Sequence, residues 1–105
     1  ITLITTVNAL TFTVASYNVR NLFDMKYQGN EYKEFIPNTK KWNQTKLNKK
    51  VKNIIDVLSF KEFDIICLQE IESKQALKLL TNKLPKYKYS YFYKKPKSAI
   101  GLSII

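Results

Sequence analysis

The sequence predicts an α/β domain, because segments typical of strands alternate with segments typical of helices. Four consecutive apolar residues at positions 65–68 lie between acidic residues, which predicts a short strand buried on both faces. Apolar residues recur at helical spacing on either side of it. A strand–helix–strand unit normally makes a right-handed crossover, so its two strands are expected to be parallel neighbours in one sheet.

The first strand is expected from about residue 10, where side chains alternate between two faces as far as Asn18. Asn18 then lies where the strand gives way to a turn, and asparagine is a common turn residue. A polar, irregular stretch follows over about residues 23–44. Loops of this length inside a compact domain are usually functional or mobile. Trp42, near its end, is expected to fix the loop to the core.

Two helices are predicted after this loop. The first covers residues 45–59, where Leu47 begins a series of apolar side chains at helical spacing, and its lysines are expected to form a solvated face. These lysines are Lys46, Lys49, Lys50 and Lys52. The second covers residues 74–84, with Ser73 as its N-cap and Pro85 ending it.

Two further strands are predicted near the end of the sequence. Tyrosines at every second position over residues 87–93 indicate one strand, and residues 100–105 begin another. We interpret the tyrosine row as sheet packing, with stacking of nucleic-acid bases as the alternative.

The composition limits the chemistry that this sequence can support. The net charge is +10, which would suit a polyanionic partner, but 17 of the 18 basic residues are lysines and Arg20 is the only arginine. The charge is therefore permissive rather than diagnostic. The absence of histidine excludes, within these residues, a histidine-activated nucleophile and a histidine-ligated metal. Cys67 is the only cysteine and is expected to be a buried packing residue.

Residues 1–9 have two interpretations. They can be the end of a signal peptide, since Val7 and Ala9 fit the small-residue rule for cleavage, or they can form an extra strand. The signal remnant is the preferred one and implies a secreted or periplasmic protein; otherwise a cytoplasmic location is expected. No stretch has the apolar length needed to span a bilayer.

A candidate site follows from the predicted parallel strands. Asn18 and Glu70 would both lie at carboxyl ends of these strands, at the edge where ligand sites gather in such sheets. An amide oxygen and a carboxylate at one edge suit a hard divalent cation such as Mg²⁺. The alternative is a turn asparagine and a solvated surface acid.

Two segments resemble the opening of the endonuclease/exonuclease/phosphatase family. They are Ala-Ser-Tyr-Asn-Val-Arg-Asn-Leu-Phe-Asp at residues 15–24 and Asp-Ile-Ile-Cys-Leu-Gln-Glu-Ile-Glu at residues 64–72, with Trp42 and a basic amphipathic helix between them. The resemblance covers about residues 12–72, and residues 98–105 are similar to the family's following strand. It implies an α/β fold, the deoxyribonuclease-like four-layer α/β sandwich, of which residues 10–105 would be an amino-terminal fragment.

The resemblance also implies a function and its site residues. It implies a metal-dependent hydrolase that cleaves phosphoester bonds with Mg²⁺, or with Mn²⁺ in its place. Glu70 would bind the metal, Asn18 would help to hold the metal or the phosphate, and Arg20 would contact the phosphate backbone. Nucleic acid is the expected substrate, DNA before RNA. The alternatives are a phospholipid or phosphoinositide head group, and a non-catalytic lysine-rich module that binds nucleic acid.

The sequence also departs from the family pattern. The later motifs, which bring a catalytic histidine, a general-base aspartate and further Asn and Asp residues, have no counterpart in these 105 residues. Because removing cooperating catalytic groups costs orders of magnitude in rate, the fragment is expected to be inactive alone.

Overall fold

A computed structural model describes residues 11–105, which form a mixed α/β domain around one four-stranded sheet. The predicted signal remnant or extra strand at residues 1–9 lies outside the described part. The strands are β1 (Val14–Leu22), β2 (Ile65–Ile71), β3 (Tyr91–Tyr93) and β4 (Gly101–Ile104), in the order β1-β2-β4-β3. The pair β1 and β2 is parallel, as predicted, and β4 is antiparallel to both of its neighbours.

The helices begin where side chains cap them. Helix α1 (Gln44–Leu58) starts after Asn43, whose side chain accepts a hydrogen bond from the Lys46 backbone N–H at 3.2 Å. Helix α2 (Lys74–Thr81) starts after the predicted cap Ser73, whose Oγ accepts from the Ala76 N–H at 3.0 Å. It ends three residues before the predicted limit. Within residues 11–105, no helix is long and apolar enough to cross a membrane.

The hydrophobic core lies between the helices and one face of the sheet. Trp42 is buried at the end of the long loop, and its Nε1–H donates to the Phe23 carbonyl at 3.1 Å. The Phe35 ring stacks on that of Phe23, with 4.6 Å between the centroids. Trp42 therefore fixes the end of the loop to the core, as predicted. The strands and helices contribute these buried apolar residues: Val19, Leu22, Leu47, Val51, Ile54, Leu58, Ile66, Leu68, Ile71, Ala76, Leu77 and Leu80.

The opposite face of the sheet carries apolar side chains that nothing in residues 11–105 covers. We call it the open face; it includes Val14, Ile65, Tyr91, Tyr93, Leu102 and Ile104, which are 38–64% exposed. Cys67, expected to be buried, is half-exposed there. The prediction that residues 65–68 are buried on both faces is thus met on one face only, because Ile66 and Leu68 face the helices.

The tyrosine-rich strand is shorter than predicted, since only Tyr91–Tyr93 pairs with β4. Tyr87 instead donates its hydroxyl hydrogen to the Phe63 carbonyl at 2.7 Å. Tyr91 and Tyr93 lie on the open face. The two strands approach closely at Gly101, where an added Cβ would lie 2.3 Å from the Tyr93 carbonyl oxygen. Glycine is therefore required at this position.

Candidate active site

Asn18 and Glu70 lie in contact at one edge of the sheet. The parallel register pairs Asn18 with Gln69, so the next residue of β2 is Glu70. The Asn18 Nδ2 donates to the Glu70 Oε1 at 3.0 Å, across 52 positions of sequence. The sequence-based expectation that these two side chains are neighbours is met, and both are accessible to solvent. The alternative, a turn asparagine and a solvated surface acid, is also compatible with this contact.

A backbone hydrogen bond fixes which way the Asn18 amide points. The Arg20 backbone N–H donates to the Asn18 Oδ1 at 2.8 Å. Because a backbone N–H can only donate, the atom facing it must be the amide oxygen, and the amide nitrogen is left to face Glu70. Asn18 therefore contacts the carboxylate through its nitrogen. Because an amide oxygen has two lone pairs, the predicted role of Asn18 in holding the metal or the phosphate stays a prediction.

Both strands become irregular at this edge. Arg20 and Asn21 have φ angles of 55° and 65°, and Glu70 has a φ of 65°, all in the left-handed region that L-residues rarely adopt. The pairing register shifts between Asn18 and Leu22 on one strand, and between Gln69 and Ile71 on the next. Such backbone conformations cost about 1–3 kcal/mol each and persist only where their surroundings enforce them. The irregular backbone turns both side chains toward one point.

Lys50 of helix α1 also reaches this edge. Its Nζ donates to the Arg20 carbonyl at 2.8 Å, and its side chain is half-buried. Burial lowers the pKa of Lys50, the nearby Arg20 guanidinium lowers it further, and the Glu70 carboxylate opposes both effects. Arg20 and Glu70, two of the three predicted site residues, therefore affect the ionisation of Lys50.

The predicted solvated lysine face is wrong at Lys50, which is half-buried, whereas Lys46, Lys49 and Lys52 are exposed. Lys50 contacts the site, and the Lys46 Nζ donates to the carbonyl of Lys40 at 2.7 Å and to that of Lys41 at 3.2 Å. One signal for Lys50 was present in the sequence. It lies three residues after Leu47 and four before Ile54, at the border of the buried stripe, where a long side chain can extend past the core.

The Arg20 side chain is exposed beside the pair, and its guanidinium makes no hydrogen bond within residues 11–105. Contact with a phosphate stays a prediction.

The donor set at this edge fits a hard cation in part. The Asn18 amide donates to the Glu70 Oε1, and the second carboxylate oxygen of Glu70 carries no hydrogen bond from the described residues. One carboxylate with water and phosphate oxygens is an arrangement that Mg²⁺ uses. Among the described residues no three His, Cys, Asp or Glu side chains come together as a metal cage. Glu70 is the acidic side chain that the contact with Asn18 places at this edge.

A second polar cluster lies behind this edge and is buried. It consists of Asp24, Glu72 and Ser73, each at most 6% exposed, and we call it the buried acid cluster. The Ser73 hydroxyl donates to the Asp24 Oδ2 at 2.7 Å, and the Asp24 backbone N–H donates to the Glu72 Oε1 at 3.1 Å. The cluster joins the start of the long loop to the N-terminus of α2.

The Glu72 carboxyl group of this cluster has a raised pKa. Burial raises the pKa of Glu72 to about 8, and the hydrogen bond and the negative charge of Asp24 contribute to this rise. Glu31 adds a smaller effect of the same sign. At neutral pH Glu72 is therefore largely a protonated acid that can donate to Asp24. From the sequence, Asp24 and Glu72 were noted only as members of the two segments that resemble the family, and this cluster was not predicted.

Comparison with known proteins supports one relationship. A family model described as the endonuclease/exonuclease/phosphatase family matches residues 13–104. This range includes both segments of the resemblance and all four strands. Searches of curated proteins and of solved structures found no match.

Proposed function

Since the chain belongs to the endonuclease/exonuclease/phosphatase family, whose members are generally hydrolases of phosphoester bonds, we propose that the complete protein is a Mg²⁺-dependent nuclease. DNA is the favoured substrate, ahead of RNA, and Mn²⁺ is an alternative metal. The observation that carries this proposal is the hydrogen bond between Asn18 and Glu70 at the strand edge. Family members typically depend on a divalent metal, and Glu70 offers such an ion a carboxylate oxygen.

The residues at the edge have separate roles in this proposal. Glu70 holds the metal, and Asn18 keeps the carboxylate oriented by donating to one of its oxygens. When bound, Mg²⁺ supplies positive charge to a phosphoryl oxygen and to the leaving group. In this proposal the exposed Arg20 guanidinium contacts a backbone phosphate.

The 105 residues alone are expected to be inactive. In-line attack on phosphorus needs a group that orients water, and this sequence contains no histidine to do so. Within residues 11–105, no three His, Cys, Asp or Glu side chains come together as a metal cage. We therefore assign the reaction to the complete protein, in which further catalytic side chains would meet Glu70.

We further propose that a second sheet covers the open face, which gives the four-layer sandwich. In support, Leu102 and Ile104 are 56% and 47% exposed, although β4 is an internal strand of the sheet. In the complete protein, Leu102→Asp should then lower the free energy of unfolding by about 2 kcal/mol or more, the cost of burying an unpaired charge. Urea unfolding measures this. A change within about 0.5 kcal/mol, as at a solvent-exposed site, would contradict the proposal.

The function is tested by measuring Mg²⁺-dependent cleavage of plasmid DNA by the complete protein and by its Glu70→Gln variant. Glutamine has nearly the same shape and can still accept from Asn18, but it carries no charge for the metal. We expect the rate to fall by about 10²–10³-fold, the size seen when one electrostatic contributor to a transition state is removed. Glu62→Gln is the matched control, because the Glu62 side chain is 88% exposed and precedes β2 at the end of the strand opposite to Glu70.

The substrate is tested in the same experiment. Parallel assays use plasmid DNA, single-stranded RNA and vesicles containing a phosphoinositide. Cleavage of the lipid alone would replace nucleic acid by a lipid head group as the substrate. Equal rates for Glu70→Gln and the parent protein on every substrate would remove Glu70 from the mechanism.

A further inference from the structure

Lys50, Arg20, Asn18 and Glu70 form one continuous chain of hydrogen bonds. The Lys50 ammonium donates to the Arg20 carbonyl at 2.8 Å. The Arg20 N–H donates to the Asn18 Oδ1 at 2.8 Å, and the Asn18 Nδ2 donates to the Glu70 Oε1 at 3.0 Å. The chain connects helix α1 to the carboxylate through both strands of the parallel pair. Lys50 is its only member from a helix.

The link to Arg20 lies where the backbone is least regular. Arg20 and Asn21 are both in the left-handed region, and the register of β1 shifts across them. A strand that leaves its regular pairing exposes backbone polar groups that need other partners. Lys50 supplies such a partner to the Arg20 carbonyl from a helix that is packed on the core through Leu47 and Val51. A rigid element thus holds an irregular one.

The length of the lysine side chain suits this contact. Lys50 lies at the border of the buried stripe of α1, so its methylene groups cover apolar surface while the ammonium group extends to the sheet edge. Its neighbour Lys49 is exposed and makes no hydrogen bond or ion pair with any residue from 11 to 105. Lys49 therefore carries the same formal charge as Lys50 but lacks its hydrogen bond to the Arg20 carbonyl.

We propose that Lys50 is a positioning residue for the reaction: by holding the Arg20–Asn21 bulge it keeps Asn18 oriented against Glu70. This rests on the proposed function, and it adds a residue from outside the two motifs. Lys50 itself does not touch the metal or the substrate in this proposal. Loss of its ammonium group would let the bulge relax and the Asn18 amide rotate, so that the Glu70 carboxylate would lose its fixed orientation.

The test compares three variants of the complete protein. Lys50→Met keeps the apolar stem and removes the donor, Lys50→Arg keeps a donor, and Lys49→Met is the control for loss of one charge. The first measurement needs no catalysis: hydrogen exchange of the Arg20 backbone amide, followed by NMR with Mg²⁺ absent. We expect exchange about 10-fold faster in Lys50→Met, because the amide loses its fixed acceptor. Lys50→Arg and Lys49→Met should stay near the parent rate.

The second measurement is steady-state hydrolysis of bis-p-nitrophenyl phosphate at saturating Mg²⁺. A misplaced catalytic group lowers kcat more than KM, so Lys50→Met should lose about 10-fold or more in kcat with KM changed less than about twofold. Lys50→Arg should recover most of this loss. A residue with a purely structural role would instead lower the melting temperature and leave kcat per folded molecule unchanged.

The outcomes separate this proposal from the function on which it rests. Unchanged Arg20 exchange in Lys50→Met overturns the positioning role, and so does faster exchange with an undiminished kcat. Faster exchange in a protein whose parent form hydrolyses no phosphoester with Mg²⁺ overturns the proposed function, together with any positioning role in it, and leaves only the hydrogen-bonded chain as a structural feature.

Discussion

Two polar pairs, Asn18 with Glu70 and Asp24 with Glu72, lie close to each other in sequence. They differ in solvent exposure, in backbone conformation and in hydrogen bonding. Asn18 and Glu70 are accessible, held by an irregular backbone and open toward solvent. Asp24 and Glu72 lie six and two residues further along, and both are buried. The first pair leaves one carboxylate oxygen available to a ligand. In the second pair, the Glu72 carboxyl group accepts a hydrogen bond from the Asp24 backbone N–H, and the Asp24 carboxylate accepts one from the Ser73 hydroxyl.

The difference shows how one edge can serve two purposes. Carboxylates that are to bind a cation must stay accessible, and their orientation has to come from neighbours such as Asn18. Carboxylates that are to hold a loop in place can be buried if their hydrogen bonds are satisfied. The buried acid cluster ties the start of the long loop to helix α2 immediately behind the candidate site. We therefore expect changes in the buried acid cluster to affect mainly the stability of the fold, and changes at the Asn18–Glu70 pair to affect mainly the proposed activity.

The largest expected difference is in the dependence of stability on pH. The pKa of Glu72 rises from an ordinary 4.5 to about 8 on folding, so the folded protein binds a proton more tightly than the unfolded chain. The contribution of protonated Glu72 to the free energy of unfolding is complete below pH 4.5 and is lost as the pH rises toward 8. Each pH unit in that window corresponds to up to about 1.4 kcal/mol, which gives about 3–5 kcal/mol in total.

The variant Glu72→Gln tests this dependence, because glutamine resembles the protonated acid and does not titrate. We expect similar free energies of unfolding for the variant and the parent at pH 5, and a more stable variant at pH 8.5. Urea unfolding at intervals of one pH unit measures both curves. The control is Glu62→Gln, whose curve should follow that of the parent. Parallel curves for Glu72→Gln and the parent would show that Glu72 is charged in the folded protein.

Much of the fold could be predicted from the sequence, because local signals there agree with the tertiary structure. Ser73 provides a cap for α2, and the apolar run at residues 65–68 is an internal strand. The parallel pairing, and with it the contact of Asn18 with Glu70, followed from the handedness of the crossover. The family match confirms the resemblance.

Other features depend on tertiary contacts that leave no local signal. The left-handed conformations of Arg20 and Glu70 occur in residues without any special preference for them. The contact of Lys50 with Arg20 joins a helix to a strand 30 positions away. The position of Lys50 beside the apolar stripe indicates that its side chain can extend past the core, but not which group it meets. The buried acid cluster was missed because Asp24 and Glu72, taken singly, resemble solvated acids.

A smaller effect is expected when the buried acid cluster is disrupted at Asp24. Its carboxylate accepts from the Lys26 N–H at 2.9 Å and from the Ser73 hydroxyl at 2.7 Å. Asp24→Ala leaves the buried Ser73 hydroxyl and the partly buried Lys26 N–H without this acceptor, which should cost about 2–3 kcal/mol. The loss of charge beside Glu72 offsets part of this cost at high pH, since it relieves the repulsion of an ionised Glu72. The destabilisation should therefore be greatest below pH 6.

The control for this variant is Asp56→Ala on the exposed surface of α1. Asp56 pairs with Lys52 at 2.9 Å, and both side chains are more than 60% exposed, so its removal should change stability by at most about 0.5 kcal/mol. In Asp24→Ala the Glu70 edge keeps its own hydrogen bonds, so Mg²⁺-dependent activity per folded molecule should persist at temperatures well below the lowered melting point. If activity vanished while the protein remained folded, the two pairs would form one functional unit, and the division between a binding edge and a structural cluster would be wrong.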